Sequence, residues 1–437
     1  MRKELLVCAL AALSTSALSR SARAQTAFVN WETPHVHPLE LAPGGARLLA
    51  VNTADARLLV FDLASGKPVR AFDVSVGLDP VSVRARTANE VWVVNHVSDS
   101  VSIVDLASGN VTATLRTDDE PCDVVFAGAP QRAFVSCSQA NTLLVFDPAN
   151  LAANPVRIAI DGEDPRSLAV SPDGTKVYCA IFESGNSSTI LGGGSTMAGG
   201  FPPNVVSDPA GPYGGQNPPP NSAAPGGFSP AQNVANGAPP KVGLIVKKNA
   251  AGQWRDDFTG DWTSFVSGPN AALSGRRVGW DLTDKDIAIV DTANGNAVSY
   301  ARRLMNTCMS LAVNPANGEI TLVGTEATNE VRFEPVLNGK FVRVELARVL
   351  ASGPTTLGIV DLNPHLSYAT STVAQSERDK SLGDPRGIAW NAAGTRGYVA
   401  GMGSNNVVVI DANGARAGLA PAIRVAEGPT GVVVDDA

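Results

Sequence analysis

A repeat of about forty residues constrains the fold of this chain more than any other feature of its sequence. The clearest copy, Asp79 to Glu120, holds four runs rich in Val, Ile, Leu and Thr, separated by turns of Gly, Asn, Asp and Ser. Short runs bounded by such turns are typical of β-strands. Prolines open successive copies at Pro80, Pro121 and Pro165, spaced 41 and 44 residues apart. Four strands in a repeat of this length indicate the blades of a β-propeller.

The repeat continues to the end of the chain. Opening prolines recur at Pro385 and Pro429, an earlier copy spans 37–79, and a divergent copy without the proline spans 308–346. The fold class is therefore predicted to be all-β, a β-propeller of four-stranded antiparallel blades. Residues 428–435 read as a single further strand, which predicts seven blades with the last one truncated, as in a fragment of a longer protein. The alternative is a ring of six blades plus a remnant.

Short segments at the ends of the second and third strands recur between copies. They are Ala50-Val51-Asn52, Val93-Val94-Asn95, Phe61-Asp62, Val104-Asp105, Phe146-Asp147 and Ile410-Asp411, with the turn Ser171-Pro172-Asp173-Gly174. Over most of 36–437 the chain resembles the YVTN family of β-propellers. The resemblance implies a propeller scaffold and no single activity, because members of that family bind, scaffold or carry chemistry. Relatives are often fused to a c-type cytochrome segment, which implies a possible cytochrome domain or partner.

The N-terminus predicts export. Basic residues precede an apolar run at 5–13, and Ala22-Arg23-Ala24 precedes Gln25, which is typical of a signal peptide over residues 1–24 with the propeller at 25–437. No later run is long enough to span a membrane. Cleavage would change the net charge from −7 to −10, and Lys/Arg clusters are absent, which argues against nucleic acid as a partner. We expect a protein of the periplasm or of the cell surface or extracellular space.

Two long excursions interrupt the repeats. One is expected at 184–283 within blade four, Gly/Pro-rich at 191–240, and the other at 347–383 between blades five and six. Strand order places both on the face where each first strand begins, which we call the upper face. Long loops on a rigid scaffold concentrate binding residues. The sequence therefore predicts that a partner protein or small-molecule ligand binds there.

Two arginines follow opening prolines and are candidate ligand-binding residues at the mouth of the channel. Arg166 and Arg386 would hold an anionic ligand by bidentate hydrogen bonds. The alternative is structural, since Asp164 and Asp384 lie two residues away and the arginines would neutralise them.

Histidines suggest a metal or cofactor contact. In His35-Val36-His37 alternate side chains of an extended segment share one face, and His96 lies at the turn after the second strand of the next blade. A metal or a haem edge would suit these imidazoles. Alternatively, the two histidines between prolines mark an ordered, solvated start of a strand. A covalent c-type haem is not expected within the chain, which has no Cys-x-x-Cys-His motif.

Two cysteines of the third blade are a candidate disulfide pair. If Ala127 faces Arg132 across the first turn, Cys122 faces Cys137, and an exported protein permits a disulfide between them. Two small buried apolar residues are the alternative.

Three functions follow from these observations. The leading hypothesis is an exported non-catalytic propeller that binds a partner or ligand through its upper face. The second is the N-terminal propeller module of a c-type cytochrome or redox-associated protein, with any c-type haem on a segment beyond residue 437. The third is a lactonase-like hydrolase, for which Glu326 and His96 are the plausible general bases.

Overall fold

The computed structural model describes residues 34–192, 205–206, 208–214, 243–257, 259–294, 298–329, 341–350, 352–366, 373–416 and 422–436. The signal peptide predicted at 1–24 lies outside these residues, as does most of the Gly/Pro-rich segment 191–240. Within the described part, no helix has the length and apolar character needed to cross a membrane.

The first three blades are four-stranded antiparallel sheets in which consecutive strands pair. Blade one contains β1 (Leu39–Leu41), β2 (Arg47–Asn52), β3 (Arg57–Asp62) and β4 (Val69–Ser75). Blade two contains β5 (Pro80–Ala85), β6 (Glu90–Asn95), β7 (Ser100–Asp105) and β8 (Asn110–Arg116). Blade three contains β9 (Pro121–Ala127), β10 (Arg132–Cys137), β11 (Thr142–Phe146) and β12 (Val156–Ala159).

Blade four is split by a folded insertion. Its strands are β13 (Pro165–Val170), β14 (Lys176–Ile181), β18 (Ile287–Asp291) and β19 (Val298–Ala301), and β14 pairs directly with β18. Between them lie a three-stranded sheet of β15 (Ser188–Leu191), β16 (Leu244–Lys248) and β17 (Trp254–Arg255), and the short helix α1 (Thr263–Val266). The insertion has its own buried core, which includes Trp254, Trp262 and Phe265.

Blades five and six complete the described sheets. Blade five contains β20 (Thr307–Val313), β21 (Ile320–Ala327), β22 (Val342–Leu350) and β23 (Thr355–Asp361), followed by α2 (Gln375–Arg378). Blade six contains β24 (Pro385–Trp390), β25 (Arg396–Gly401), β26 (Asn406–Asp411) and β27 (Ile423–Arg424). The described part thus holds six four-stranded blades, and the predicted all-β propeller is confirmed.

The boundary predicted for blade five is wrong. The excursion expected at 347–383 contains the end of β22 and all of β23, which pair with each other. The connection between β21 and β22 is long in this blade, so the third and fourth strands come later in the chain than in the other copies. The excursion proper follows β23.

Each first strand that opens with a proline begins with the same backbone arrangement. The residue before the proline is left-handed at Asp79, Glu120, Asp164 and Asp384, with φ between 49° and 64°. In all four blades its carbonyl accepts a hydrogen bond of 2.9 Å from the residue that follows the second strand. This bond helps to offset the cost of a left-handed conformation in a residue other than glycine.

The same position links neighbouring blades. The amide of Glu120 donates to Asp99 Oδ1 at 3.1 Å, and that of Asp164 donates to Asn141 Oδ1 at 2.9 Å. Asp99 and Asn141 are themselves left-handed residues of the turn between strands two and three of the preceding blade. The Asp/Asn residues of these turns therefore shape the turn and bind the next repeat.

The apolar core is distributed between blades. Trp92 of blade two, for example, packs edge-on against Phe126 and Phe146 of blade three, with ring centroids 5.4 and 6.5 Å apart. Similar clusters of fully buried Val, Leu, Ile and Ala lie between the other neighbouring blades. Stability is therefore distributed over the interfaces between neighbouring blades.

The segment after blade six lies between the last and the first blade. A Cβ added to Gly387 of β24 would lie 3.1 Å from Gly431 Cα, and one added to Gly431 would lie 2.6 Å from Pro38 Cγ. Gly428 is left-handed (φ 68°) and its amide donates to Asn405 Oδ1 at 2.8 Å, as Glu120 and Asp164 bind the turns of their preceding blades. Residues 429–436 are assigned to no strand, because the described residues supply no second strand to pair with them. The segment therefore takes the position of the first strand of a truncated seventh blade, as predicted.

A chain of hydrogen bonds through His35 ties this segment to blades one and two. The Thr53 hydroxyl donates to the Pro80 carbonyl at 2.7 Å, so it accepts from His35 Nε2 at 2.5 Å. His35 Nδ1 therefore accepts from the Thr430 hydroxyl at 3.0 Å. This arrangement needs a neutral imidazole, and burial lowers the pKa of His35 below its ordinary value of 6.5.

The lowered pKa of His35 predicts acid sensitivity. The unfolded state binds a proton more readily than the folded state, so the stabilisation from neutral His35 is complete above pH 6.5 and is lost as pH falls through the lower folded pKa. The free energy of unfolding of His35→Gln should depend less on pH below 6.5 than that of the wild type. Urea titrations at a series of pH values test this, and parallel pH profiles for the two proteins would contradict it.

Candidate binding site in the central channel

The first strands of the six blades surround a central channel. Every first strand (β1, β5, β9, β13, β20 and β24) is the edge strand of its sheet, so its unpaired backbone edge faces inward. A cavity of about 470 Å³ lies in this channel and is lined by all six blades and by Gly431 and Val432. Its lining includes Arg86 and Gln131, which belong to turns joining first and second strands. The cavity therefore extends away from the upper face, toward the opposite end of the channel.

All ionisable side chains among the described lining residues come from the first two blades. His37 Nε2 lies 2.8 Å from Glu40 Oε2, and the side chains of both remain about one quarter exposed. The His37 amide donates to Ser82 Oγ at 2.9 Å, and its carbonyl accepts from the amide of Val83. The segment before β1 is thus held against β5, which fixes the imidazole at the cavity wall.

Arg84 is held by groups from two further blades. Its Nε and one Nη donate to the two carboxylate oxygens of Asp123 at 3.2 and 2.9 Å, and that Nη also donates to the Leu168 carbonyl at 3.0 Å. Asp123 is fully buried and accepts the Leu168 amide at 3.0 Å. Opposite charge and hydrogen bonds from Asp123, together with the charge of Glu40, raise the pKa of Arg84 despite its burial. The guanidinium is a fixed cation at the cavity wall.

The other side of the cavity carries no charged side chain. Blades four to six and the C-terminal segment contribute Leu168, Val170, Leu311, Val313, Ile388 and Val432. Leu168, Leu311 and Ile388 are themselves buried in the cores between blades. The cavity therefore has one charged side and one uncharged side.

Both predicted arginines form ion pairs with the acids two residues away. Arg166 Nε and Nη lie 2.8 and 2.5 Å from the Asp164 oxygens, and the guanidinium stacks on Phe182 at 3.8 Å. Arg386 Nε lies 2.8 Å from Asp384 Oδ1. These contacts agree with the structural alternative given above, and neither arginine lines the cavity. Ligand binding by the two arginines stays a prediction.

Glu326 lies at the base of the insertion. Its carboxylate accepts from the Asn306 amide at 2.7 Å and from Asn186 Nδ2 at 3.0 Å, and it pairs with Lys247 of β16. The side chain is almost fully buried. These three donors give Glu326 a part in anchoring the insertion to blade five. The sequence also makes Glu326 a candidate ligand-binding residue on the upper face, and that role, like its role as a general base, stays a prediction.

His96 lies at the upper end of the channel wall, next to Cys122. Its Nδ1 is 3.1 Å from the Pro121 carbonyl and 3.7 Å from Cys122 Sγ, while Nε2 is 3.8 Å from Glu120 Oε2. A Cys–His–Glu set suggests a nucleophile at first sight. Burial, however, raises the pKa of the Cys122 thiol to about 12, which disfavours the reactive thiolate.

The three histidines have different partners. His35 binds Thr53 and Thr430, His37 binds Glu40, and His96 binds Pro121. Within the described ranges, no group of three or more His, Cys, Asp or Glu side chains has an arrangement that would hold a metal ion. A metal or haem contact at these histidines stays a prediction.

The disulfide between Cys122 and Cys137 is not formed. Ala127 does face Arg132, as expected, but the register shifts between Ser136 and Cys137, which places Cys137 opposite Pro121. Cys122 is the extra residue of a β-bulge, and both thiols are free and buried. The opening proline has no amide hydrogen with which to continue the ladder, and most other blades shift register at the same place.

Sequence reasoning missed the charged wall of the cavity. Glu40, Arg84 and Asp123 come from three different repeats and meet because the first strands of consecutive blades pack side by side. One signal was available: Asp123 stands third in its first strand, where the other repeats carry Ser82, Ser167 and Gly387. An acid at a position that otherwise holds small residues indicates a site-specific role.

Comparison with solved structures supports the propeller fold. The chain is similar to Kuenenia stuttgartiensis hydrazine synthase, with a TM-score of 0.52 and 15% identity over 93% of this chain and 91% of that chain. Weaker similarities include the periplasmic gluconolactonase of Pseudomonas aeruginosa (TM-score 0.48, 13% identity, 92% and 88%) and a putative 6-phosphogluconolactonase from Bacteroides uniformis (0.47, 14%, 89% and 85%). At 15% identity the similarity to hydrazine synthase supports the fold alone. No protein-family model and no curated protein matches the sequence.

Removal of the buried acid should destabilise the ring. In Asp123→Asn the guanidinium of Arg84 loses its charged partner, and we expect the free energy of unfolding to fall by about 3 kcal/mol. Asp118→Asn is the matched control, because Asp118 also binds an arginine by two contacts but Arg157 is 60% exposed. That change should cost about 1 kcal/mol or less. Equal shifts of the urea midpoint would contradict the assignment.

Thiol titration tests whether Cys122 and Cys137 are free thiols or form a disulfide. The protein without residues 1–24 should react at all four cysteines (Cys122, Cys137, Cys179 and Cys308) after denaturation without a reductant. The native protein should react slowly, because all four thiols are buried and burial raises their pKa values. Two reactive thiols in the denatured protein would show a disulfide.

Proposed function

We propose that this chain is an exported, non-catalytic β-propeller of the YVTN type that binds a small-molecule ligand in its central channel. The observation that carries the proposal is the cavity with one charged and one uncharged side. Its volume of about 470 Å³ lies within the range of small-molecule pockets. Precisely placed polar groups that fix the orientation of a ligand are typical of such sites.

The charged groups of this cavity are preorganised. Arg84 is fixed by Asp123 and Leu168, and His37 by the strand contacts to β5 and by Glu40. A ligand would therefore order few side chains on binding, which lowers the entropic cost of association. The sequence had placed the site on the upper face, and this proposal moves the ligand into the channel.

The proposal also includes a partner protein that binds the upper face. It places the protein in the periplasm, at the cell surface or outside the cell. Export is supported by the predicted signal peptide. The insertion in blade four supports a partner surface, because it has its own core and is anchored to blade five through Asn329, which exchanges two hydrogen bonds with Ile245. A folded insertion on a rigid scaffold is a common location for recognition.

A lactonase-like hydrolase is the second candidate, and the His37–Glu40 pair favours it. A carboxylate that binds an imidazole at 2.8 Å is an arrangement used for general-base catalysis. The base would then be His37, since neither Glu326 nor His96 lines the cavity. A role as a cytochrome module stays a prediction based on the family resemblance.

Ligand-observed NMR on the protein without residues 1–24 tests channel binding. We expect members of a library of small polyols, carboxylates and amines to show saturation transfer with the wild type. Gln131→Trp should abolish it, because Gln131 is an exposed residue of the cavity lining and the indole would fill that end of the channel.

Lys67→Trp is the matched control, since Lys67 is an exposed turn residue outside the cavity lining. The library signals should persist in this variant. No binding in the wild type, or equal binding in both variants, would reject the proposal. Turnover of lactones that is lost in His37→Gln would instead establish the hydrolase.

A further inference from the structure

We propose that the channel site is selective for a neutral, hydroxyl-bearing compound. This inference rests on the proposed function and specifies the chemistry of its ligand. It follows from a gap of 4.0 Å between Arg84 Nη1 and Glu40 Oε2 at the cavity wall.

The gap lies between a donor and an acceptor. Asp123 and Leu168 occupy Nε and one Nη of Arg84. The other nitrogen, Nη1, is directed toward Glu40 and lies 4.0 Å from its Oε2, which is too long for a hydrogen bond. Both side chains line the cavity and are about one fifth exposed. A single oxygen atom placed between them would be within hydrogen-bond distance of both.

A hydroxyl group satisfies both sides of this gap. It accepts from the guanidinium and donates to the carboxylate at the same time. Both bonds would involve a charged partner, and such bonds are stronger than neutral ones. A carboxylate ligand would accept from Arg84 but would be repelled by Glu40 and by the nearby Asp123. An ammonium ligand would donate to Glu40 but would be repelled by Arg84.

The rest of the cavity adds no charged side chain. Leu311, Val313 and Ile388 lie on blades five and six, across the channel from the charged residues of blades one and two. These residues supply no counter-ion for a charged ligand, so the preference for a neutral head group depends on the charged side of the cavity.

Three probes with the same six-membered ring separate the possible head groups: cyclohexane-1,2-diol, cyclohexanecarboxylate and cyclohexylammonium. Their dissociation constants would be measured by NMR titration of the protein without residues 1–24. The diol should bind most tightly. Glu40→Gln keeps the shape of the side chain but removes its charge, so the diol should bind about tenfold more weakly to this variant.

Glu163→Gln is the matched control, because Glu163 is an exposed glutamate outside the cavity lining. It should leave the affinity for the diol unchanged. Tighter binding of the carboxylate or the ammonium probe would overturn the hydroxyl assignment, as would an unchanged affinity in Glu40→Gln. In either case, probe binding that is lost in Gln131→Trp would still support a ligand site in the channel. If none of the three probes binds, the hydroxyl assignment is also overturned. Channel binding itself is rejected only if no member of the wider library binds.

Discussion

Burial of sheet faces between neighbouring blades is the constraint on which this structure depends. From blade one to blade six, each pair of consecutive blades encloses a buried apolar cluster. Among the described residues, no such cluster joins blade six to blade one. Residues 430–432 lie in the space between these two blades, next to Pro38 and Gly387. His35 contributes the polar contacts at this junction.

The hydrogen bonds between blades follow the repeat and explain its sequence. An acid before the opening proline takes a left-handed conformation, and its amide binds the Asp or Asn of the preceding turn. Hydroxyl groups add further links, since Ser82 donates to the Cys122 carbonyl at 2.7 Å and Ser136 to the Arg166 carbonyl at 2.6 Å. Residues that recur from copy to copy thus maintain the ring. Residues that differ between copies, such as Asp123, are free to form a site.

The candidate site follows from this division. Arg84 stands four residues after its opening proline, where other copies carry Val125, Ala169 and Ala389. Asp123 departs from a position that otherwise holds serine or glycine. Neither is informative alone. Together with Glu40 they place two carboxylates and one guanidinium on the same side of the channel, with His37 beside them. The upper-face arginines, which looked more suggestive in the sequence, are paired with their own neighbouring acids.

The strands, their grouping into blades and the position of the insertion in blade four could all be predicted from the sequence, because they depend on local alternation, turn residues and a fixed repeat length. Prediction failed where local pattern is insufficient. The long connection between β21 and β22 places the last two strands of blade five later in the chain than the repeat predicts. The bulge at Cys122 shifts the pairing of β9 with β10, and counting residues from the turn does not predict that shift. The charged wall depends entirely on the tertiary structure. Glu40, Arg84 and Asp123 are about one blade apart in the chain, and their contacts exist because packing of consecutive blades brings equivalent first strands side by side along the channel.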